Sequence, residues 1–384
     1  MMSRILFLDH VGALGGAELA LLDVARAYRE TCVFMLFSDG PFRDRLTEAG
    51  VRVEILEGGR ALHAVRRETR FPGLGAGAQV ARLAWQVARR ARDFDVIHAN
   101  SQKAFVVACV AGVIARRPVI WDLNDLLLPE HFSRTNIWID VLLANHLAVR
   151  VIANSQASAD ALVHQGGDGR KVRVVYNGLD PAPFDAISDR EVAALRADLG
   201  LEGVPLVGLF GRLAEWKGQH VALEAVATLP GVHLLLVGDA LFGEQLYADR
   251  LHGQAARLGI GERVHFLGFR PDIPALMRLV DVVVHTSTAP EPFGRVIVEG
   301  MLARRPVVAT RAGGVREIMA DGQTGILVPP GDADALAKAI NELILDKGRA
   351  NRLAVAGRTH AEERFTVDAM VQAMSRNMEE VARA

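Results

Sequence analysis

The segment that decides the fold reads Leu206-Val207-Gly208-Leu209-Phe210-Gly211-Arg212-Leu213-Ala214-Glu215-Trp216-Lys217-Gly218. Its first five residues are apolar, and a glycine turn and the start of a helical pattern follow them. An uninterrupted apolar run of this length is typical of a strand buried on both faces of a parallel sheet. The segment therefore predicts one strand–turn–helix unit, and the same unit recurs on both sides of it.

Thirteen apolar runs of this kind form two series along the chain. The first series comprises Ile5–His10, Val33–Phe37, Val51–Leu56, Asp95–Ala99, Val119–Leu123, Val151–Asn154 and Val172–Tyr176. The second comprises Leu206–Phe210, His233–Val237, Val264–Leu267, Val282–His285, Val307–Thr310 and Ile326–Val328. Helical patterns such as Ala17–Arg29, Ala78–Arg92 and Ala157–His164 lie between the runs. Strands that alternate with helices in two series predict an α/β protein with two doubly wound domains.

The two series are separated by turn chemistry at Asn177-Gly178-Leu179-Asp180-Pro181 and by a polar stretch, 188–200, that we interpret as a linker. We expect domains over residues 1–182 and 183–365, with the ligand in the cleft between the carboxyl ends of their strands. A last helical pattern, Val367–Val381, follows the final strand. From its residues alone it either caps the second domain or crosses back onto the first.

The composition is that of a globular protein and excludes several classes of function. Of 384 residues, 50% are hydrophobic, and 44 basic side chains balance 45 acidic ones, so the net charge of −1 predicts no nucleic-acid partner. The two cysteines, Cys32 and Cys109, each lie in an apolar stretch far from metal-ligating residues, as in a reduced cytoplasmic protein. No apolar run reaches the length of a transmembrane helix, so we expect a cytoplasmic location.

The turn after Phe210 carries two cations, Arg212 and Lys217. Cations are unfavourable at the positive end of a helix dipole unless an anionic ligand binds there. A guanidinium can contact two phosphate oxygens at once, and an ammonium adds a mobile charge, so together they would neutralise a diphosphate without a metal ion. The alternative is a solvated helix start, which the dipole argument makes less favourable.

A second candidate segment is Ala289-Pro290-Glu291-Pro292-Phe293-Gly294-Arg295-Val296-Ile297-Val298-Glu299, after the strand Val282–His285. Glu291 lies in the loop, and Glu299 is expected about two turns into the following helix. Carboxylates suit bidentate hydrogen bonds to ribose and sugar hydroxyls, and the backbone around Gly294 can present N–H groups to phosphate. Two acidic residues with this spacing usually lie on a solvent-exposed helix face. Because this pair follows the turn with Arg212 and Lys217 in the same predicted domain, a ligand-binding role is favoured.

Two further glycine turns are explained about equally well by an ordinary tight turn before a helix and by contact with a ligand. Gly12-Ala13-Leu14-Gly15-Gly16-Ala17-Glu18 follows the first strand and opens a helix, but it lacks the G-x-G-x-x-G spacing of dinucleotide binding. Ala312-Gly313-Gly314-Val315-Arg316-Glu317 also follows a strand. No H-E-x-x-H motif occurs, and the scattered histidines do not form a ligand set, so the sequence predicts no metal site.

These segments, in this order, resemble the retaining, metal-independent glycosyltransferases of family 4, which have the GT-B fold. The resemblance covers essentially the whole chain and is carried by Gly15-Gly16-Ala17-Glu18, by Arg212 with Lys217, and by Glu291-x7-Glu299. It implies two Rossmann-like domains that face each other across a cleft. The domain over 1–182 would bind the acceptor, the domain over 183–365 would bind the nucleotide sugar, and the helix over 366–384 would cross back to the first.

The resemblance also implies the catalytic group: Arg212 and Lys217 would hold the donor diphosphate as the glycosidic bond breaks, and Glu291 would contact the transferred sugar. Glu299 would bind the ribose. Backbone and side-chain contacts to the donor are expected at Gly15, Gly16, Phe293, Gly294, Arg295, Val296 and Arg270. No cofactor and no metal are implied, because the nucleotide-diphosphate sugar is a co-substrate.

The acceptor half departs from the family pattern at one position. Many members carry a histidine just after the strand at Val119–Leu123, where it contacts the sugar near the reaction centre, and here Asn124 takes that place. Asparagine hydrogen-bonds sugar hydroxyls but does not titrate near neutral pH. Acceptor or sugar contacts are expected at His98, Asn100, Lys103, Asp122 and Asn124.

A basic zone, Arg60–Arg92, contains eight arginines and one acidic residue, Glu68. It predicts either a peripheral contact with anionic lipids at the inner membrane face, where a lipid-linked acceptor would be found, or only a solvated helix face. The function expected is transfer of a sugar from a UDP- or GDP-sugar to a glycan or lipid-linked acceptor. The alternatives are a non-catalytic sugar-nucleotide-binding subunit and a nucleotide-sugar epimerase or hydrolase on the same scaffold.

Overall fold

The computed structural model of the protein describes residues 3–59, 74–240 and 243–383. The chain forms two compact units. One consists of Met1–Gly178 and Val367–Ala384, and the other of Leu179–Thr366.

The first unit is built on a seven-stranded parallel sheet with the order β3-β2-β1-β4-β5-β6-β7. Its strands are β1 (Ile5–Asp9), β2 (Cys32–Leu36), β3 (Arg52–Ile55), β4 (Val96–Asn100), β5 (Val119–Leu123), β6 (Ala148–Ala153) and β7 (Val172–Val174). Every residue of β1, β2, β4 and β5 is buried, whereas β3 at the sheet edge is partly exposed. The longest apolar runs therefore occupy the centre of the sheet.

Helices cover both faces of this sheet. They are α1 (Gly16–Ala27), α2 (Pro41–Glu48), α3 (Leu74–Ala91), α4 (Gln102–Ala115), α5 (Arg134–His146) and α6 (Gln156–His164). Alternate residues of a strand face opposite sides, so Leu6 and Leu8 pack with α3 and α4 while Ile5 and Phe7 pack with α1. No helix among the described residues is long and apolar enough to cross a membrane.

The second unit repeats this plan with a six-stranded parallel sheet of order β10-β9-β8-β11-β12-β13. Its strands are β8 (Leu206–Phe210), β9 (His233–Val237), β10 (Val264–Gly268), β11 (Val282–His285), β12 (Val307–Thr310) and β13 (Ile326–Val328). Its helices are α7 (Ala182–Asp185), α8 (Asp189–Asp198), α9 (Gln219–Ala227), α10 (Gln245–Arg257), α11 (Ile273–Leu279), α12 (Arg295–Leu302), α13 (Val315–Ile318), α14 (Ala333–Leu345) and α15 (Lys347–Arg364).

The predicted α/β, doubly wound architecture is confirmed, and all thirteen predicted strands are present. Five of the six strands in the second unit have the predicted bounds, because turns at both ends limit each short apolar run. The final helix, α16 (Val367–Arg383), packs its apolar side chains Met370, Met374, Met378 and Val381 into the core of the first unit. The crossing-back alternative is therefore correct.

One local interpretation is wrong. The polar stretch 188–200 is not an irregular linker but contains helix α8. Ser188 and Glu191 form a capping box there: Ser188 accepts a hydrogen bond from the Glu191 backbone N–H, and the Glu191 carboxylate accepts one from the Ser188 backbone N–H. The Ser-x-x-Glu signature was available in the sequence, but the low apolar content of the segment concealed it.

Both sheets reverse their winding direction at one pair of neighbouring strands, β1 with β4 and β8 with β11. Connections leave in opposite directions at such a point, so a crevice opens at the carboxyl ends of the two strands. Polar side chains beyond the ends of these four strands are therefore the candidates for function in each unit.

Candidate functional site

The turn after β8 is held against the end of β11 by hydrogen bonds and by one glycine. The backbone N–H of Thr288 donates to the carbonyl of Trp216 at 2.8 Å, and the Thr286 hydroxyl donates to the carbonyl of Lys217 at 2.9 Å. Gly218 adopts a left-handed conformation with φ +71°, and a Cβ there would overlap the Thr286 carbonyl. The turn thus places the Lys217 side chain beside the end of β11.

Lys217 forms an ion pair with Glu291. Its Nζ donates to both carboxylate oxygens, at 2.9 Å to Oε1 and 2.8 Å to Oε2, and it lies 4.2 Å from the ring centroid of Trp216. The carboxylate is buried and also accepts from the Ser287 hydroxyl at 3.0 Å. These two predicted catalytic residues, separated by 74 positions, therefore meet at the switch point of the second sheet.

A further partner of the Glu291 carboxylate is His285, the last residue of β11. Its Nε2 lies 3.2 Å from Glu291 Oε2, and its Nδ1 lies 3.4 Å from the Thr310 hydroxyl. Burial by itself would raise the pKa of Glu291, but the charge of Lys217 and the hydrogen bond from His285 together hold this pKa well below its ordinary value. Glu291 is therefore ionised at neutral pH and can act only as a hydrogen-bond acceptor.

The glycine turn after β12 positions the Glu291 loop. The backbone N–H of Gly314 donates to the Glu291 carbonyl at 2.9 Å, and a Cβ on Gly313 or Gly314 would overlap the backbone of Glu291 or Pro292. Close approach of two backbones accounts for both glycines, which supports the structural interpretation of this turn.

Arg212 begins the same turn as Lys217 and is half-buried. Its Nε lies 3.4 Å from Glu244 Oε2, and its carbonyl accepts a hydrogen bond from Gln219 Nε2 at 2.9 Å. Burial raises the pKa of Glu244, and the neighbouring Arg212 charge opposes that rise. The two predicted phosphate-binding cations thus lie on one turn, each beside a carboxylate.

Helix α12 begins at Arg295, after Gly294 in a left-handed conformation with φ +103°. Glu299 therefore lies one turn into the helix. The prediction of about two turns is wrong, because the helix begins later than expected. Arg295 Nη2 lies 3.8 Å from Glu299 Oε1, whereas Nη1 of the same guanidinium is buried and has no hydrogen-bond partner among the residues that the structure describes. Burial raises the pKa of Glu299, and the Arg295 charge opposes it. An unpaired buried donor beside a carboxylate is a feature expected of a polar ligand site.

The other predicted donor contacts are distributed around this centre. Phe293 is buried and packs edge-to-face on Phe365 at 5.7 Å. Val296 is half-buried in the first turn of α12. Arg270 follows β10 at the sheet edge and pairs with Asp272 at 2.5 Å. The neighbouring Phe269 ring is 77% exposed.

In the first unit, five polar residues form a row across the ends of β1, β4 and β5. Asn100 and Asp122 are register partners, and Asp9 adjoins Asn100. Asn100 Nδ2 donates to Asp9 Oδ2 at 2.6 Å, Asn124 Nδ2 donates to Asn100 Oδ1 at 3.0 Å and to Asp122 Oδ1 at 3.1 Å, and His98 Nε2 lies 3.3 Å from Asp122 Oδ2. Four of the five predicted acceptor residues are thereby joined in one network. The fifth, Lys103, lies in the first turn of α4.

The glycines of the first candidate turn lie at the start of α1. Gly15 is the N-cap in an extended conformation with no side-chain cap, and Gly16 is the first helical residue. A Cβ on Gly15 would lie 2.6 Å from Glu18 Oε2, which places that carboxylate against the N-terminus of the helix. The backbone N–H groups of Gly15 and Glu18 donate hydrogen bonds to this carboxylate, so Glu18 itself caps the start of the helix.

Sequence reasoning assigned no role to several polar residues of these two crevices, namely Asp9, His285, Ser287 and Thr310, and it left His10 either as a partial substitute for the missing histidine or as a cap of the first strand. Burial raises the pKa of Asp9 to about 7, against the hydrogen bonds from Asn100 and the His10 backbone that lower it. Burial and the charge of Asp9 raise the pKa of Glu18 to about 8. The available signal was a polar residue at the carboxyl end of an apolar strand, which Asp9 and His285 both display.

The basic zone lies partly outside the described residues, since Arg60, Arg66, Arg67, Arg70 and Glu68 fall within 60–73. Arg90 turns toward the sheet and pairs with Glu54 at 2.9 Å and with Asp93 at 2.8 Å. Arg82 and Arg89 are exposed on the same face of α3 as Trp85, which is 54% exposed.

Two doubly wound sheets, each with a polar crevice at its switch point, define the class of two-domain Rossmann-like proteins. The chain matches the family model for glycosyltransferase family 4 over residues 14–183 and that for glycosyl transferases group 1 over residues 192–360. It belongs to this family of GT-B-fold glycosyltransferases, as the sequence predicted.

Among solved structures, Anabaena HepE is 45% identical with a TM-score of 0.90, over 98% of this chain and 99% of that chain, and was crystallised with UDP and glucose. A second crystal structure of the same protein contains UDP-glucose. A lipopolysaccharide core biosynthesis glycosyltransferase, LpsE of Rhizobium meliloti, is 37% identical over 58% of this chain. The D-inositol 3-phosphate glycosyltransferase of Mycolicibacterium gilvum is 36% identical over 60% of it. The chain spans 62% and 52% of the lengths of these two relatives.

Proposed function

We propose that the protein is a retaining, metal-independent glycosyltransferase that moves a sugar from a UDP- or GDP-sugar to a glycan or lipid-linked acceptor in cell-surface polysaccharide or glycolipid synthesis. The observation that carries the proposal is the Lys217–Glu291 pair, with Arg212 on the same turn, at the switch point of the second sheet. HepE with bound UDP-glucose supports a UDP-sugar donor, and LpsE supports a saccharide acceptor at the cell surface.

The cations would act on the leaving group. As the bond between the anomeric carbon and the phosphate oxygen breaks, its electron pair goes to the diphosphate, and Arg212 and Lys217 offset that growing negative charge. Because two side-chain cations are available, no divalent ion is needed in this scheme.

The carboxylates would position the donor. Glu291 is ionised, so it can accept hydrogen bonds from two sugar hydroxyls, while Lys217 turns from it toward a phosphate oxygen. Glu299 and the unpaired Nη1 of Arg295 offer one acceptor and one donor to the ribose side of the nucleotide. Each charged side chain then has a ligand partner of complementary chemistry.

Enzyme treated with EDTA is expected to transfer glucose from UDP-glucose to octyl glycosides at an unchanged rate and to give α-linked product. Proton NMR of the first-formed product reports the anomeric configuration through the H1–H2 coupling, and a matched reaction with added Mn²⁺ is the metal control. A β-linked product would show that the anomeric configuration is not retained. Loss of activity with EDTA and its recovery with Mn²⁺ would show that the enzyme requires a metal ion.

We also propose peripheral contact with anionic membranes through the basic zone, where Arg82 and Arg89 flank the exposed Trp85 on α3. Arg82→Gln/Arg89→Gln is expected to lower the fraction that sediments with phosphatidylglycerol vesicles at low salt by roughly threefold or more, since each cation near such a surface contributes about 1 kcal/mol. Arg257→Gln/Arg352→Gln, on exposed helix positions of the second unit, is the control. The contact would be refuted if the two double variants sedimented with the vesicles to the same extent. It would also be refuted if the unmodified protein did not sediment with them at all.

A further inference from the structure

The turn between β8 and α9 carries Arg212 near one end and Lys217 near the other, and different elements hold the two ends. Residues beyond the end of β11 hold the Lys217 end. The Arg212 end lies against the segment that follows β9, where the backbone N–H of Leu213 donates to the carbonyl of Asp239 at 3.0 Å. The position of Arg212 therefore depends on a part of the second unit that does not hold Lys217.

A further contact to Arg212 comes from the amide of Gln219, the first residue of α9. Gln219 is fully buried, and its Nε2 donates to the Arg212 carbonyl at 2.9 Å. Its Oε1 accepts from the hydroxyl of Tyr247 at 3.2 Å. Although nitrogen and oxygen look alike in an amide, a rotated amide would place its oxygen against the Arg212 carbonyl, so one orientation is favoured. A chain of two hydrogen bonds thus runs from Tyr247 through Gln219 to Arg212.

The hydroxyl of Tyr247 is itself held in place. Tyr247 is buried in the first turn of α10, and its oxygen accepts from the backbone N–H of His220 at 3.3 Å. His220 Nδ1 lies 3.0 Å from the same oxygen. Burial raises the pKa of Tyr247 to about 12, so the phenol keeps its hydrogen at neutral pH. Because the His220 backbone N–H uses the oxygen of the hydroxyl, the hydrogen is directed to Gln219.

The other end of Arg212 also faces the start of α10. Glu244 is the N-cap of this helix, one turn before Tyr247, and its Oε2 lies 3.4 Å from Arg212 Nε. The start of α10 therefore contacts the guanidinium directly and the backbone carbonyl through Gln219. A guanidinium presents its donors in a rigid planar fork, so a small displacement of its backbone misdirects it.

We propose that Tyr247 is a positioning residue for Arg212: its hydroxyl fixes the amide of Gln219, and that amide fixes the backbone from which the guanidinium reaches the donor diphosphate. The inference rests on the proposed function and assigns a role to a residue outside the donor contacts. Tyr247 touches neither sugar nor phosphate in this scheme. Its effect should extend to UDP, which has the diphosphate but no sugar.

A purely structural role at the start of α9 is the alternative. The first N–H groups of a helix have no partner within the helix, and Tyr247 supplies one for His220. Loss of that contact would lower the free energy of unfolding, but its effect would not depend on the side chain of Arg212. A positioning role disappears once residue 212 carries no guanidinium. A double-mutant cycle with Arg212 therefore separates the two roles.

The experiment measures the Kd for UDP by calorimetry, or for GDP if the unmodified protein binds only that nucleotide. Tyr247→Phe removes the hydroxyl and keeps the ring. It is expected to raise this Kd roughly 10-fold, since displacement of a binding group by about an ångström can cost about 100-fold. Gln219→Leu breaks the same chain but leaves the contact between Tyr247 and His220, and it should raise the Kd to a similar extent. The variant with both changes should bind no more than about twofold more weakly than either single variant, because both break one chain.

The decisive comparison is made in Arg212→Gln. In that background Tyr247→Phe is expected to change the Kd by less than about twofold. Tyr28→Phe is the matched control, because Tyr28 is also buried but lies in the core of the first unit. It removes a buried hydroxyl and should leave the Kd unchanged, whatever its effect on stability.

Weaker nucleotide binding in Tyr247→Phe and Gln219→Leu that disappears in Arg212→Gln supports the proposal. If Tyr247→Phe leaves the Kd unchanged, or raises it by the same factor with and without the guanidinium, the proposal is overturned and the hydroxyl only stabilises the start of α9. If Tyr247→Phe does not fold, Gln219→Leu in the same cycle with Arg212 decides the question. Failure of the unmodified protein to bind either UDP or GDP would instead refute the proposed function, and this role with it.

Discussion

Lys217→Met is expected to lower kcat/KM for sugar transfer by roughly 10³-fold, as for loss of one preorganised charge at a developing anion. It is also expected to lower the free energy of unfolding by about 3 kcal/mol at pH 7. The second effect arises because Glu291 is only 9% exposed and both its oxygens accept hydrogen bonds from Lys217. Without the ammonium, a buried carboxylate loses its counter-charge. Urea unfolding and steady-state kinetics measure the two effects separately.

The stability loss should depend on pH with a defined sign. The folded-state pKa of Glu291 in the unmodified protein is depressed, so its stabilisation is fully present above the ordinary value of 4.5 and is lost only as the pH falls through the lower folded value. In Lys217→Met, burial dominates and the pKa rises, so this variant gains stability as the pH falls and Glu291 takes up a proton. The stability difference between the two proteins should therefore narrow as the pH falls toward the ordinary value of 4.5. A difference that is constant over this range would contradict the ion-pair explanation.

Two further variants separate stability from activity. Lys217→Met/Glu291→Gln removes both charges and should recover most of the lost stability, because no unpaired buried charge remains, but it should recover no activity. Lys347→Met is the control, since Lys347 pairs with Asp281 at 3.3 Å but is 63% exposed. It should change the free energy of unfolding by less than about 1 kcal/mol. A double variant as unstable as Lys217→Met would show that the pair is not the cause.

Gly218→Ala is expected to destabilise the second unit by more than about 3 kcal/mol, the sum of a left-handed backbone for alanine and an overlap in a packed region. Its Cβ would overlap the Thr286 carbonyl, a backbone atom that cannot rotate away. The end of β11 and the turn that carries Lys217 would have to separate. We therefore expect loss of UDP-glucose binding in calorimetry together with the lower unfolding midpoint.

Gly231→Ala is a closely matched control for this change. Gly231 also has φ +71°, but a Cβ there would have no neighbour within 4 Å. Gly231→Ala should lower the free energy of unfolding only by the backbone strain, about 1 to 2 kcal/mol. Binding of UDP-glucose should be unchanged. Equal destabilisation by the two substitutions would mean that the contact between Gly218 and Thr286 does not hold the turn in place.

The strands were predictable because each is a short apolar run with turn residues at its ends, a local property of the sequence. The helix α8 was not recognised, since its polar residues give no apolar stripe and only the Ser188–Glu191 capping box indicates it. The helix that begins at Arg295 was predicted to begin earlier, because Gly294 is both a turn residue and the N-cap. Errors of this kind occur where the end of an element depends on one backbone conformation.

The candidate site was predictable as a set of residue types on particular turns, but its pairing was not. Nothing local indicates that Lys217 meets Glu291, that His285 and Ser287 join them, or that Asp9 orients Asn100. These contacts arise because strands distant in the chain become neighbours in the sheet. Asn124 was recognised from the sequence as a departure from the family pattern, whereas its amide orientation follows only from Asn100 and Asp122.

The sequence by itself determined the α/β class, the thirteen strands, the family, the turns that carry Arg212, Lys217 and Glu291, and the placement of Glu299 on the following helix. Apolar periodicity and turn chemistry are properties of neighbouring residues. Only the tertiary structure decided the strand orders with their two switch points, the packing of α16 in the first unit, and which charges meet. Strand order depends on how all the helices and strands of a unit pack around one core. That order buries Glu291 and places Lys217 beside it, and the charge of Lys217 keeps the pKa of the buried carboxylate low.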